Sequence, residues 1–303
     1  LEPELDKITS VGQRLVQRLL HWRAVVSNTP HVEGRTIAVA SGKGGTGKSF
    51  FITNLAVALH QSGHRVAVVD CDYGLGNAHL LLGVNPKMTL HHLMSGVASV
   101  DAILERTQYG PDLVAGGSGI SSMGELGPRH FELLAVALGV LAKSHDVVLL
   151  DCAAGISPQS MMTLLAAESI ILVTNPEIAA LTDAYALIKC LARQPRVPEI
   201  QVVVNRVVEL GLGQPTFERL AEVAQRFIGR SLHYIGEIPD NPAVSHRRLG
   251  QAPLLVSHPE CNAAMGVRTV MLAIEHTMGP LRASGSKKED GVERRILRLL
   301  REH

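Results

Sequence analysis

The sequence predicts an α/β fold in which a mostly parallel, doubly wound sheet is covered by helices on both faces. Three observations carry that prediction. Short aliphatic runs recur at residues 36–40, 65–69, 147–150, 170–174 and 201–204. Several read as continuous apolar strands, the pattern of strands buried on both faces. Between them lie segments with apolar residues at helical spacing, such as 51–60 and 131–141. That alternation points to crossover units stacked in one layered domain. The third observation is the link between the first strand and the first helix. Residues 42–49, Gly-Lys-Gly-Gly-Thr-Gly-Lys-Ser, fit G-x-x-x-x-G-K-S in the strand–loop–helix context that a phosphate-binding loop requires.

The residue types of that loop follow from its chemistry. Glycines let the backbone adopt conformations closed to other residues and come close to a phosphate. The amides of Gly44, Gly45, Thr46, Gly47 and Lys48 can then face the anion, with the field of the helix N-terminus behind them. Lys48 is placed to reach the β- and γ-phosphates, and the Ser49 hydroxyl to ligate Mg²⁺. An ordinary glycine-rich turn would need neither the lysine nor the serine.

Two acidic positions extend the site. Asp70 and Asp72 follow the second strand, residues 65–69. Charges at the carboxyl end of a buried strand need a partner or a metal, and open α/β sheets bind ligands at that end. A pair of turn aspartates is the alternative. Residues 147–150 form an apolar strand capped by Asp151. An aspartate so placed anchors the metal of a nucleotide site. Helical segments with breaks are expected over 80–83 and 89–104, a short strand over 111–115, and a flexible loop over 116–119.

Lys43 directly follows the first glycine, so the loop carries two lysines. It resembles the deviant Walker A loop of the MinD/ParA family of dimerising ATPases, a likeness covering most of the chain. The resemblance implies a P-loop NTPase fold, with ATP or ADP and Mg²⁺ as cofactors. It implies that Lys43 crosses an ATP-dependent homodimer interface to the partner's nucleotide. Asp72 would hold the attacking water, making Lys43, Lys48 and Asp72 the catalytic set. Asp70 would support the metal together with Ser49 and Asp151. Residues 152–155 would form the γ-phosphate-sensing switch, where Gly155 permits rearrangement. Asn205 would hydrogen-bond the adenine edge, with Pro239 near the base; read without the resemblance, Asn205 is also a common turn residue. Two segments resemble the flagellar-number regulators of that family, the FlhG or FleN branch. They are Asp-Cys-Ala-Ala-Gly at 151–155 and Thr-Asp-Ala-Tyr-Ala-Leu-Ile-Lys at 182–189. The branch implies FlhF and flagellar basal-body proteins as partners. Residues 1–30 lack a clear copy of the D-Q-A-x-x-L-R motif, so activation of FlhF does not follow.

Composition narrows the alternatives. The 303 residues are 46% hydrophobic and 19% charged, which suits a substantial core. A net charge of +1 gives no generally basic surface for nucleic acid, against a DNA-partition ATPase of the ParA kind. A division-site regulator of the MinD kind stays open, though it lacks the flagellar-type segments. Cys71, Cys152, Cys190 and Cys261 form no C-x-x-C pair, so no bridging cluster or zinc site is indicated. No signal peptide or bilayer-spanning run is visible. The expected organisation is a helical extension and linker at 1–34, an ATPase domain at 35–282, and a linker with an amphipathic helix at 283–303. In that last helix Val292, Ile296, Leu299 and Leu300 share one face, with Arg294, Arg295, Arg298 and Arg301 largely opposite. Such a helix can lie on an anionic membrane; docking on the domain or disorder are the alternatives. The sequence thus reads as a cytoplasmic switch ATPase with peripheral inner-membrane association, controlling flagellar number and placement.

Overall fold

The computed structural model describes residues 33–74, 76–117, 127–246, 250–278 and 290–302. The helix expected before residue 33 lies outside the described residues. Eight strands form one sheet: β1 (Arg35–Ala40), β2 (Val66–Cys71), β3 (Leu104–Arg106), β4 (Asp112–Val114), β5 (Val147–Cys152), β6 (Ser169–Thr174), β7 (Glu199–Val207) and β8 (His233–Pro239). The longer helices are α1 (Lys48–Gln61), α2 (Pro128–Ser144), α3 (Pro158–Ala166), α4 (Ile178–Leu191), α5 (Gly213–Ile228), α6 (Asn262–Met278) and α7 (Val292–Glu302). The strand order is β3-β4-β2-β5-β1-β6-β7-β8. Every pairing is parallel except β3 with β4. The expected doubly wound sheet is therefore present, and β1 with its phosphate-binding loop lies near its centre.

Side-chain alternation divides the core into two layers. On one face Ile37, Val39, Val66, Val68, Val147 and Leu149 meet α1 and α6. On the other, Ala38, Ala40, Ala67, Val69, Val148 and Leu150 meet α2, α3 and α4. Helix α1 is buried almost all round, from Phe51 to Leu59, so its apolar residues need no single stripe. Its polar Asn54 is fully buried and satisfied. The side-chain amide donates to Phe50 O at 2.8 Å, and Oδ1 accepts Leu255 N at 3.2 Å. Asn54 thereby ties the single helical turn at Leu254–Ser257 to the helix that carries the loop.

Three boundaries differ from the sequence expectation. Residues 89–104 are not helical to their end, because Leu104 starts an edge strand that pairs antiparallel with Val114. β2 and β7 run further than their aliphatic runs, so Asp70 and Asn205 lie inside strands rather than in the loops after them. Helix α3 was not singled out by apolar spacing, yet Ser157-Pro158 marks its start. Ser157 Oγ accepts Ser160 N at 3.2 Å, and proline occupies the first turn.

The carboxyl-terminal segment forms its helix but is not set apart from the core. Helix α7 packs on α2 and α3, with Val292 1% and Ile296 0% exposed. Leu299 and Leu300 are partly buried against the same cluster. Arg295 also turns inward. Its Nε donates to Ala166 O at 2.7 Å and Nη2 to Thr36 Oγ1 at 3.3 Å. Helical spacing alone put this arginine on the solvent side. The last carbonyls of α3 have no partner within the helix, and Arg295 satisfies one of them. Gly139 marks the contact from the α2 side, since a Cβ there would press on Glu293 of α7. A mid-helix glycine costs about 0.5–1 kcal/mol relative to alanine, and close approach of α7 accounts for its presence.

Asn54→Ala removes the acceptor of a buried N–H. It should cost about 1–3 kcal/mol, read as a lower urea midpoint at unchanged slope. An unchanged midpoint would show that Leu255 N finds another acceptor.

Candidate nucleotide site

Strand alternation brings the charged residues together. In β5, Val147 and Leu149 face α1, so Asp151 does as well; in β2, Val66 and Val68 put Asp70 on the same face. Asp70 and Asp151 are register partners on neighbouring strands. Lys48, the first residue of α1, reaches across to them and forms a hydrogen-bonded ion pair with Asp151 Oδ1. Lys48 is 8% exposed, Asp151 1% and Asp70 0%. One cation and two carboxylates thus share a nearly dry site.

The protonation balance follows. Burial works against the Lys48 ammonium, but the Asp151 charge and hydrogen bond overcome it and raise its pKa. Burial and then the Asp151 charge push the Asp70 carboxyl up to about 7. Hydrogen bonds from Asp72 N at 3.0 Å and Ala78 N at 3.2 Å oppose that rise.

The loop is shaped by positive backbone angles at Gly45 (φ 83°) and Gly47 (φ 89°). Gly47 is also crowded, because a Cβ there would collide with the Asn205 amide. Asn205 Nδ2 donates to Thr46 O at 2.8 Å. The residue expected at the adenine edge therefore braces the loop in this structure, from a β-strand and 4% exposed. Pro239 ends the neighbouring strand β8, paired with Val207. Thr46 Oγ1 is buried and has no hydrogen-bond partner among the described residues. An unpaired buried hydroxyl in a glycine-shaped cradle fits a phosphate ligand. Ser49 Oγ lies 3.4 Å from Lys48 Nζ. Among the described residues no group of three or more His, Cys, Asp or Glu could hold a metal. The two neighbouring carboxylates Asp70 and Asp151, with the Ser49 hydroxyl, fit Mg²⁺, which keeps several waters and takes one or two carboxylates plus phosphate oxygens.

Asp72 stands just beyond β2, and its Oδ1 accepts Gly74 N at 3.2 Å. On the far side of the loop, Gly155 N donates to Ser41 O at 3.0 Å, joining the segment after β5 to the loop strand. Gly155 has φ 90°.

Lys43 points elsewhere. Its Nζ pairs with Glu177 Oε2 at 2.8 Å, on the surface beside the loop. Glu177 also lies 3.9 Å from Arg206 Nη1. Arg206 has φ 56° and interrupts the β7–β8 register, as a bulge that re-aims a side chain does. Sequence reasoning did not single out Glu177 or Arg206. Glu177 ends the Asn-Pro-Glu turn after β6, but no local pattern shows that it meets a lysine 134 residues away.

Comparison with known proteins agrees with this geometry. Residues 37–254 match the CobQ/CobB/MinD/ParA nucleotide binding domain. The chain is 34% identical over 241 residues to the antiactivator FleN of Pseudomonas aeruginosa, covering 80% of this chain and 86% of that protein. It is 34% identical over 221 residues to the flagellum site-determining protein YlxH of Helicobacter pylori, covering 72% and 74%. The septum site-determining protein MinD of Pyrococcus horikoshii, solved with Mg-ADP, superposes with a TM-score of 0.66 at 29% identity, covering 81% of this chain and 97% of that one.

The raised Asp70 pKa has a definite sign. The folded, nucleotide-free protein holds a proton on Asp70 that the unfolded chain has already released above about pH 4. The associated stability is complete below that pH and is lost as pH rises through about 7. Urea titrations from pH 5 to 8 should show this loss, and Asp70→Asn should flatten it. The same slope in the variant would assign the proton to another group.

Proposed function

The chain belongs to the CobQ/CobB/MinD/ParA nucleotide-binding family, and on that footing we propose that it is an ATP-hydrolysing, dimerising switch that regulates flagellar number and placement. The observation that carries the proposal is the division of labour between the two loop lysines. Lys48 is buried in its own site against Asp151, while Lys43 is turned out to the surface and held by Glu177. A half-buried lysine at the surface beside the loop is placed to reach a nucleotide in a second copy of the chain.

Each residue then has a role. Bound Mg²⁺ neutralises charge on the phosphate oxygens. Lys48 exchanges Asp151 for the β- and γ-phosphate oxygens, a charge-assisted contact. Asp151, so released, would hold the Mg²⁺ with the Ser49 hydroxyl, and Asp70 would support them. Asp72 accepts a hydrogen bond from the attacking water and holds it in line, a positional contribution. Lys43 leaves Glu177 for the phosphates of the partner's nucleotide. Asn205 exchanges Thr46 O for the adenine edge, and Pro239 packs near the base.

Helix α7 is the output. Docked, its Val292 and Ile296 are buried in the core and cannot meet lipid, and Leu299 and Leu300 are partly buried beside them. In the ATP dimer it is released, and Val292, Ile296 and Leu299 enter the interface of an anionic membrane while its arginines contact headgroups. Flagellar components are the partners of the membrane-bound dimer. The printed roles of the relatives FleN and YlxH support that assignment.

Three measurements test the proposal. Asp72→Ala should bind Mg-ATP normally and hydrolyse it on the order of 100-fold more slowly in single turnover, accumulating as a dimer. Near-normal hydrolysis would move the water-positioning role elsewhere. Lys43→Ala should bind ATP yet stay monomeric in size-exclusion with light scattering; an unaltered ATP dimer would remove Lys43 from the interface. The full chain should sediment with anionic vesicles in ATP and not in ADP, and a chain lacking 292–303 should sediment in neither. Equal sedimentation of the two chains would place the membrane contact outside α7.

A further inference from the structure

A cavity of about 470 Å³ lies at the end of the sheet opposite the phosphate-binding loop. Residues at the amino ends of β1, β6 and β7 form its floor, and the first turns of α7 form one wall. Four guanidinium groups line it. Arg35 and Arg196 come from the domain, and Arg295 and Arg298 from α7.

The acidic groups in the lining are Glu168, Glu199 and Asp290, and each is engaged. Arg35 pairs with Glu168 at 3.0 Å, and Arg295 approaches the same carboxylate at 3.9 Å. Arg298 forms a two-pronged pair with Asp290, both distances 3.1 Å. Glu199 lies 3.8 Å from His233. Arg196 is exposed, and among the described residues no carboxylate forms an ion pair with it. The lining thus holds four guanidinium groups and three carboxylates. Leu165, Val197 and Pro198 add an apolar side.

This combination selects a ligand class. Guanidinium forks match carboxylate and phosphate alike. A phosphate monoester brings nearly two charges and three acceptor oxygens, against one charge and two oxygens for Asp290 or Glu168. It can therefore compete for Arg298 and Arg35 while neutralising Arg196. The apolar side accommodates the organic part of such a molecule. Arg295 is already committed to Ala166 O and Thr36 Oγ1 and serves as scaffold.

We propose that this cavity binds a small phosphate monoester through Arg35, Arg196 and Arg298, and that the bound ligand locks α7 onto the domain. The lock follows from linkage. The site needs groups from both the domain and α7, so it exists only while α7 is docked. A ligand specific for the docked state shifts the equilibrium toward it. The binding claim is independent of the ATPase proposal; the effect on membranes rests on it.

The phosphate can belong to a soluble metabolite or to a lipid headgroup, and two probes separate these sources. The full chain is saturated with ADP and Mg²⁺, so that the nucleotide site is filled. Fructose 1,6-bisphosphate and soluble dihexanoyl phosphatidic acid are then added at millimolar concentration. At least one probe should raise Tm by about 2–4 °C beyond sulfate of equal ionic strength. A shift with the sugar phosphate assigns a soluble source, and a shift with the lipid alone assigns a headgroup. Arg196→Glu, a substitution at an exposed position, should keep the starting Tm and ADP affinity and lose the shift. Deletion of 292–303 should also lose it. No shift with either probe, or a shift retained in Arg196→Glu, overturns the site. The active probe should also lower ATP-dependent vesicle sedimentation of the wild type and not of Arg196→Glu; unchanged sedimentation overturns the lock. If the wild type never sediments, the membrane role of α7 fails, and the Tm comparison still decides the site.

Discussion

The buried pair of Lys48 and Asp151 is the constraint on which the rest of the structure turns. Removing an ammonium and a carboxylate from water is expensive, and the cost is offset only when each finds its partner. Here the partners are delivered by elements far apart in sequence. The start of α1 brings the lysine, and the carboxyl end of β5 brings the aspartate. Asp70, one strand over, is the register partner of Asp151 and shares the dry site in its protonated form up to about pH 7. The glycine-shaped loop above the pair is braced by Asn205.

From this centre two connections run outward. One is short. The loop meets the segment after β5 through Ser41 O and Gly155 N, a few residues before α3 begins. The other is α3 itself. It starts just beyond Gly155 and ends at Ala166, whose carbonyl is held by Arg295 of α7. Nine residues of helix thus separate the nucleotide end of the sheet from the anchored tail. The fully buried Tyr73, from the segment after β2, joins the same core cluster as α3 and α7. Tyr73 and α3 therefore both pack into the layer that holds the tail.

The sequence by itself determined the layered architecture and the phosphate loop. Both are written in local patterns. Continuous aliphatic runs fix buried strands, helical spacing fixes α1 and α2, and the glycines with Lys48 and Ser49 mark the loop within eight residues. Asp70 and Asp151 were legible for the same reason, since each directly follows a recognisable strand core. Tertiary structure alone decided which groups meet. Lys43 pairs with Glu177 because the turns after β1 and β6 are neighbours in the sheet, an adjacency set by strand order rather than by local sequence. Asn205 braces Thr46 because β7 extends past its aliphatic run to the level of the loop. The tail shows the divide most sharply. Its spacing specified an amphipathic helix, and α7 is one. What the apolar face touches was not encoded in that spacing, because a membrane and a protein core offer it the same burial. The groove between α2 and α3, Gly139 and the open carbonyl of Ala166 decided it, and they lie more than a hundred residues away along the chain.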